Sequence, residues 1–235
     1  MTKLRDDILG LIARADENDR KAILTVLRKK ISLHPLEEEW GVPAEAILSA
    51  IGRATDLTKR GIRGILAESI FEQVIIPLLI SNGWKQLAIV GDKPYDFLAA
   101  KGQTKLGIQV KLQRKQSGVP MAYPANRRAT LAAPPVQLAC VEVQKTRSGR
   151  ANGEATRPYR FGDFDILAVN LHPSTGDWNR FMFTPASWLL QRKASPELIE
   201  IFQPVSLTTD SYWTDDVIRC IDWNRKREPR KLYAK

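Results

Sequence analysis

Residues 59 to 81 carry apolar side chains at helical spacing (Ile62, Ile65, Leu66, Ile70, Val74), and Asn82-Gly83 closes the stretch as a C-terminal cap. Past Gly83 the period changes. Leu87-Ala88-Ile89-Val90, Phe97-Leu98-Ala99 and the run from Leu106 to Leu112 are short apolar segments bounded by turn residues, the pattern of strands. Val136 to Val143 is apolar enough for a central strand, Phe164 to Leu171 is another, and Arg180 to Phe183 a further one. Ala186 to Gln191 and Pro196 to Ile201 read as short helices. The stretches from Arg114 to Pro135 and from Gln144 to Arg160 are basic and rich in Gly or Pro, the composition of loops. A long amphipathic helix followed by strands leaves every element with an apolar face to bury. The arrangement that buries them all is an α/β domain with helices flanking a central mixed sheet.

The N-terminal stretch is of another kind. Leu4, Ile8, Leu11, Ile12 and Ala15 follow helical spacing, as do Ile23, Leu24, Leu27 and Ile31. Asp16 or Asn18 is placed to cap the second helix, and His34-Pro35 breaks it. Trp40-Gly41-Val42-Pro43 is a turn before a third helix from Ala44 to Ile51. The expected division is therefore a helical N-terminal subdomain, 1–58, and an α/β domain, 59–235, which suits a chain of 235 residues.

No apolar run of bilayer-spanning length is expected, since Phe71 to Ile80 is interrupted by Glu72, Gln73 and Pro77. The start, Met-Thr-Lys-Leu-Arg-Asp-Asp, lacks the apolar core of a signal peptide, and a cytoplasmic protein is the expectation. Cys140 and Cys220 are far apart and form no CxxC pattern, which points away from zinc and from a disulfide scaffold. His34 and His172 each stand beside a proline with no partner ligand, which disfavours a histidine-metal site. The net charge of +10 favours a polyanionic partner, because each phosphate neutralised by a cation releases a condensed counterion.

Chemistry concentrates at Asp96 and Gln109-Val110-Lys111. Two strands joined by a turn would bring the aspartate, an amide oxygen and a lysine amine together at one end of a hairpin. Gln109 and Lys111, two residues apart, share a strand face. Such a set can hold magnesium, which prefers one or two carboxylates together with waters and substrate phosphate. Phosphodiester cleavage needs what this set supplies: an oriented water, neutralised phosphate charge and a cation near the developing negative charge.

The pattern, with Pro94-Tyr95 before Asp96, resembles the PD-(D/E)xK nuclease superfamily in its Gln variant, Gln109-Val110-Lys111. That family often carries a glutamate on the helix before the first strand. Glu68, within Gly64-Ile65-Leu66-Ala67-Glu68, fits this place, with Glu72 one turn on as the alternative. Val141 to Arg150, Thr156 to Arg160, Phe164 to Val169 and Trp178 to Phe183 then follow in order. That run is similar to the C-terminal halves of bacterial type II restriction endonucleases and related DNases, and the resemblance spans roughly residues 60 to 190. It implies a restriction-endonuclease-like core and Mg2+ held by Asp96, Gln109 and Glu68, with Lys111 completing the catalytic set. It also implies cleavage of double-stranded DNA at a short specific site to 5′-phosphate ends, by a homodimer that matches a near-palindromic site. A transposase subunit or repair nuclease of the same superfamily would share the chemistry. Glu142-Val143-Gln144 stands as an alternative second half of the motif.

Arg114, Lys115, Gln144, Lys145, Arg147, Arg150, Arg157 and Arg160 are the candidate DNA contacts. Arg pairs with guanine and Gln with adenine in the major groove, although most protein–DNA hydrogen bonds go to phosphates. Arg127-Arg128 adds phosphate contacts, and the basic tail from Arg225 to Lys231 reads as a solvated end. Asp165 reads as structural and the six tryptophans as core. The reading from another class is a non-cleaving DNA-binding regulator, because Leu36 to Ala54 loosely resembles a helix-turn-helix.

Overall fold

The computed structural model describes residues 2–28, 30–31, 34–132, 134–135, 137–145, 150–151, 154–155 and 157–233. The chain divides into two units, Met1–Lys59 and Arg60–Lys235.

The first unit holds four helices, α1 (Lys3–Arg14), α2 (Glu17–Arg28), α3 (Pro35–Trp40) and α4 (Ala44–Arg53). Asp16 caps α2 by accepting the Asp19 N–H at 2.8 Å. His34 opens α3: its Nδ1 accepts the Leu36 N–H at 3.1 Å, and the Glu37 carboxylate accepts the His34 N–H at 3.2 Å. Gly41, in the left-handed region at φ 64°, ends α3, and Pro43 precedes α4. None of the four helices buries a residue among those described.

The rest of the chain follows in order. Its larger elements are α5 (Asp56–Ser81), β1 (Lys85–Leu87), β2 (Phe97–Lys101) and β3 (Thr104–Leu112). Small elements come next: β4 (Lys115–Gln116), β5 (Val119–Pro120), α6 (Ala125–Arg128), β6 (Leu138–Glu142), β7 (Arg150–Ala151) and β8 (Glu154–Ala155). The chain closes with β9 (Ile166–Asn170), α7 (His172–Thr175), β10 (Phe181–Pro185), a 3-10 turn at Ala186–Trp188, β11 (Phe202–Ser206) and α8 (Val217–Lys226).

A central five-stranded sheet has the order β1-β2-β3-β9-β10. It is mixed: β3 and β9 run parallel, and the other neighbours are antiparallel. Strand alternation gives it two faces. Ile108, Val110, Ile166, Ala168, Phe181 and Phe183 pack with the buried residues of α5 and α8. Leu167, Val169 and Met182 pack on the other side with β6, β11 and Tyr159. Helices thus lie on one face and a two-stranded sheet on the other.

The α5 helix buries one stripe, Ala67, Phe71, Ile75, Ile76 and Leu79. Phe71 meets Phe97 at 4.8 Å and Phe181 at 5.7 Å between ring centroids. Over its full length α5 is apolar enough, by length and composition alone, to cross a membrane. The interrupted run from Phe71 to Ile80 conceals this, because Ile62, Ile65, Leu66, Ala67 and Ile70 extend the apolar stretch upstream of it.

Several expectations need correction. The apolar run expected as a central strand is β6, which pairs with β11 outside the five-stranded sheet. A run of buried residues shows that a strand is covered on both faces and says nothing of which sheet owns it. The segment Pro196 to Ile201 is not helical: Leu198 bridges Arg160 and Ile199 bridges Gln191. Ala88 to Val90 lies beyond the end of β1. In the C-terminal tail Arg225, Lys226, Arg227 and Arg230 are exposed, as a solvated end should be, whereas Leu232 and Tyr233 just beyond are buried and the Lys231 ammonium lies 4.1 Å from the Phe161 ring centroid.

Candidate active site

The site forms where the sheet loses a strand. β2 begins at Phe97, which pairs with Ile108, so the next stretch of β3 has β9 on one side and no strand on the other. An unpaired backbone N–H in a half-buried edge needs an acceptor. Asp96 supplies it. Its own N–H donates to the Ile108 carbonyl at 3.0 Å, and its Oδ2 accepts the Val110 N–H at 2.8 Å. The Gln109 amide donates to the same carboxylate oxygen and to the Val110 carbonyl, the latter at 3.2 Å. The aspartate therefore replaces the missing strand and is fixed in the act.

Gly107 and Asp165 set the local path. Asp165 Oδ2 accepts the Gly107 N–H at 2.7 Å, and the Asp165 N–H donates to the Gly107 carbonyl at 2.8 Å. A Cβ at position 107 would stand 2.8 Å from the Tyr95 ring, so only glycine lets Tyr95 lie against β3 beside Asp96. Asp165 thus ties β3 to the start of β9, a structural role.

Electrostatics joins the remaining groups to this edge. Burial, then the Asp96 carboxylate, push Glu68 on α5 up from its ordinary 4.5 to about 7, against the pull of Lys111. Burial also raises Asp96, outweighing the Lys111 ammonium and the Val110 and Gln109 hydrogen bonds. Lys111 is lowered by burial although both carboxylates favour its charge. Glu68, Asp96 and Lys111 thus feel one another's charge, and Gln109 is bonded to Asp96. Glu72, the alternative to Glu68, instead accepts the Gln86 amide at 3.2 Å on β1.

Glu142 and Gln144, the alternative second half of the motif, stand off the five-stranded sheet. Glu142 ends β6, where it ion-pairs with Arg114 and accepts the Gln144 amide. Glu142 closes a strand of the two-stranded sheet, and Gln144 lies beyond its end in an isolated bridge with Pro158.

Of the proposed DNA contacts, Lys145 shares an aromatic ring with Lys111. Its ammonium is 5.4 Å from the Tyr159 ring centroid, and that of Lys111 is 5.6 Å from the same ring. Asp163 lies 3.8 Å from Lys145. Arg157 Nε donates to the Lys145 carbonyl at 3.3 Å. Arg114 is held by Glu142 over the Phe202 ring. Lys115 stands in the β4–β5 hairpin and Arg160 is exposed. Arg150 begins β7, and Arg147 lies outside the described residues. His172 stacks on Trp178 at 4.0 Å, and among the described residues no group of three or more His, Cys, Asp or Glu gathers as a metal cluster.

One member of the site is not legible in the sequence. Tyr159 is buried and donates its hydroxyl to Gln109 Oε1 at 3.1 Å. It lies 50 positions from Gln109, in a segment whose basic composition reads as loop, and no local pattern links the two.

No protein-family model matches the chain, and no curated protein matches it. Among solved structures, the bacterial homing endonuclease I-Ssp6803I is similar with a TM-score of 0.40 and 20% identity, over 69% of this chain and 97% of that one. The likeness is loose, and the chemistry of the site rests on its own residues.

Proposed function

We propose that this protein is a magnesium-dependent endonuclease that hydrolyses phosphodiester bonds of double-stranded DNA. We further propose that it does so at a short specific site in the manner of a type II restriction endonuclease, as a homodimer. The observation that supports the reading is the mutual electrostatic influence of Glu68, Asp96 and Lys111, with Asp96 bonded to the Gln109 amide at the open edge of β3.

The donor set fits magnesium. The Gln109 NH2, the positive end of an amide dipole, sits where the Asp96 carboxylate and the Val110 carbonyl converge. Asp96, Glu68, the Val110 carbonyl and the Gln109 amide oxygen are hard oxygen donors with two carboxylates among them, the set this cation takes when it keeps waters and substrate phosphate for its remaining positions. When bound there, magnesium neutralises phosphate charge and makes a water nucleophilic. The protein's own groups do the rest. Asp96 is rigid because Val110 holds it. Glu68 adds the charge that the neutral Gln109 lacks. Lys111 places an ammonium beside both carboxylates, where it can orient the attacking water and offset charge growing on the phosphate oxygens. Lys145, whose ammonium shares the Tyr159 ring with that of Lys111, is the cation that would grip a flanking phosphate.

The Glu68 shift predicts the pH response. Below about 7 this carboxyl keeps a proton that a cation must displace. Magnesium binding should therefore tighten as pH rises through about 7, by up to about tenfold per pH unit. In Glu68→Gln that dependence should flatten, and Glu68→Ala should raise the magnesium requirement for cutting; titrations at acid and alkaline pH check both. The sign for stability is opposite. The native state holds this proton to about 7 while the unfolded chain releases it near 4.5, so the contribution is present at acid pH and lost as pH rises through about 7.

Incubation with plasmid DNA and magnesium tests the function itself. Discrete linear fragments support the endonuclease. A gel shift with intact plasmid supports the non-cleaving regulator, for which α3, the turn at Gly41 and α4 provide two short successive helices.

A further inference from the structure

Gln109 is 1% exposed, and each end of its amide has its own partner. Nε2 donates to Asp96 Oδ2 and the Val110 carbonyl, and Oε1 accepts the Tyr159 hydroxyl. Charge forces this orientation. An oxygen in the Nε2 position would face a carboxylate and a carbonyl with no proton between them. The one side-chain oxygen that Gln109 can offer a cation therefore points away from Asp96 and at Tyr159.

To become a ligand, the amide must turn over. Its NH2 then faces the Tyr159 oxygen, which can accept. The buried Tyr159 proton, however, loses the acceptor it has, and leaving a buried donor unpaired is costly. A tyrosine hydroxyl is protonated at neutral pH, so it remains a donor in need of an acceptor. The Lys111 and Lys145 ammoniums, 5.6 and 5.4 Å from the ring centroid, and the edge-on Phe164 at 5.2 Å hold the ring in place.

We propose that Tyr159 is a latch on the metal ligand: its hydroxyl holds the Gln109 amide oxygen off the cation position, and the cation binds by turning the amide against that bond. Tyr159 is a positioning residue, and the proposal rests on the metal centre described above. A glutamate at position 109 needs no latch, because one carboxylate oxygen can keep the tyrosine while the other faces the cation.

The test is Mn2+ binding, by calorimetry without DNA, to the full chain and to Tyr159→Phe, Gln109→Glu and the double variant, with thermal melts to confirm folding. Tyr159→Phe should bind Mn2+ about fivefold more tightly than wild type, the worth of about one hydrogen bond. In the Gln109→Glu background the same change should leave the affinity within about twofold. Unchanged or weaker binding by Tyr159→Phe, with wild-type binding intact, overturns the latch alone. Absence of Mn2+ binding by the wild type overturns the metal centre, and the latch with it. A measurement on the unaltered protein stands beside these. Added Mg2+ should shift the side-chain amide resonances of Gln109, assigned by their loss in Gln109→Glu, and resonances that stay in place at saturating Mg2+ contradict the turn.

Discussion

Asp96→Ala is expected to lose magnesium-dependent DNA cutting by at least about a thousandfold while still binding duplex DNA in calcium. The magnitude follows from a ligand whose cation supplies several kcal/mol of transition-state stabilisation, at about tenfold in rate for each 1.4 kcal/mol. Asp96 also closes the sheet edge by accepting the Val110 N–H at 2.8 Å. The alanine variant should therefore melt at a lower temperature, with a loss of about 1–3 kcal/mol for a buried donor left without its acceptor. Asp96→Asn separates the two roles. An asparagine oxygen can still take the Val110 N–H, so stability should largely return while cutting does not. Equal recovery of both would assign Asp96 to the sheet alone.

Lys111→Met carries the second large effect. The methionine keeps the aliphatic stem, so the packing of the strand is little changed, and what goes is one ammonium beside two carboxylates. Removing one preorganised group that stabilises transition-state charge costs about a hundred- to a thousandfold in rate. Metal binding should move the other way. The ammonium repels a cation and pulls Glu68 down, so without it Glu68 holds its proton to higher pH and, once ionised, Mn2+ should bind at least as tightly as in wild type. Loss of activity with retained Mn2+ affinity marks a group acting on the reaction. Loss of both would make Lys111 a prop for the metal site.

The central site was largely readable from the chain, and the reason is local. Asp96 stands just before β2, and Gln109 and Lys111 lie on β3, which a tight turn joins to β2, so their distance in sequence fixes their distance in space. The helix that carries Glu68 precedes that hairpin and packs its stripe directly on it. Some elements set by long-range pairing were not readable. β11 is short and contains Pro204, which argues against a strand until β6 is known to lie beside it. The helix α8 was missed because its polar face breaks the apolar count, although Asp216 caps it by accepting the Ile218 N–H at 2.8 Å. Tyr159 belongs to the same class: its role exists only because the loop after β8 brings its hydroxyl to a strand far back in the chain. Glu142-Val143-Gln144 shows the converse, a spacing like the motif's at the end of a strand that the fold places in the other sheet.

The most direct measurement compares wild type with Asp96→Ala on phage DNA in magnesium, followed by sequencing of the product ends. The account predicts discrete fragments with 5′-phosphate ends at a recurring short sequence from the wild type, and intact DNA from the variant. Intact DNA from both, or the same fragments from both, contradicts it.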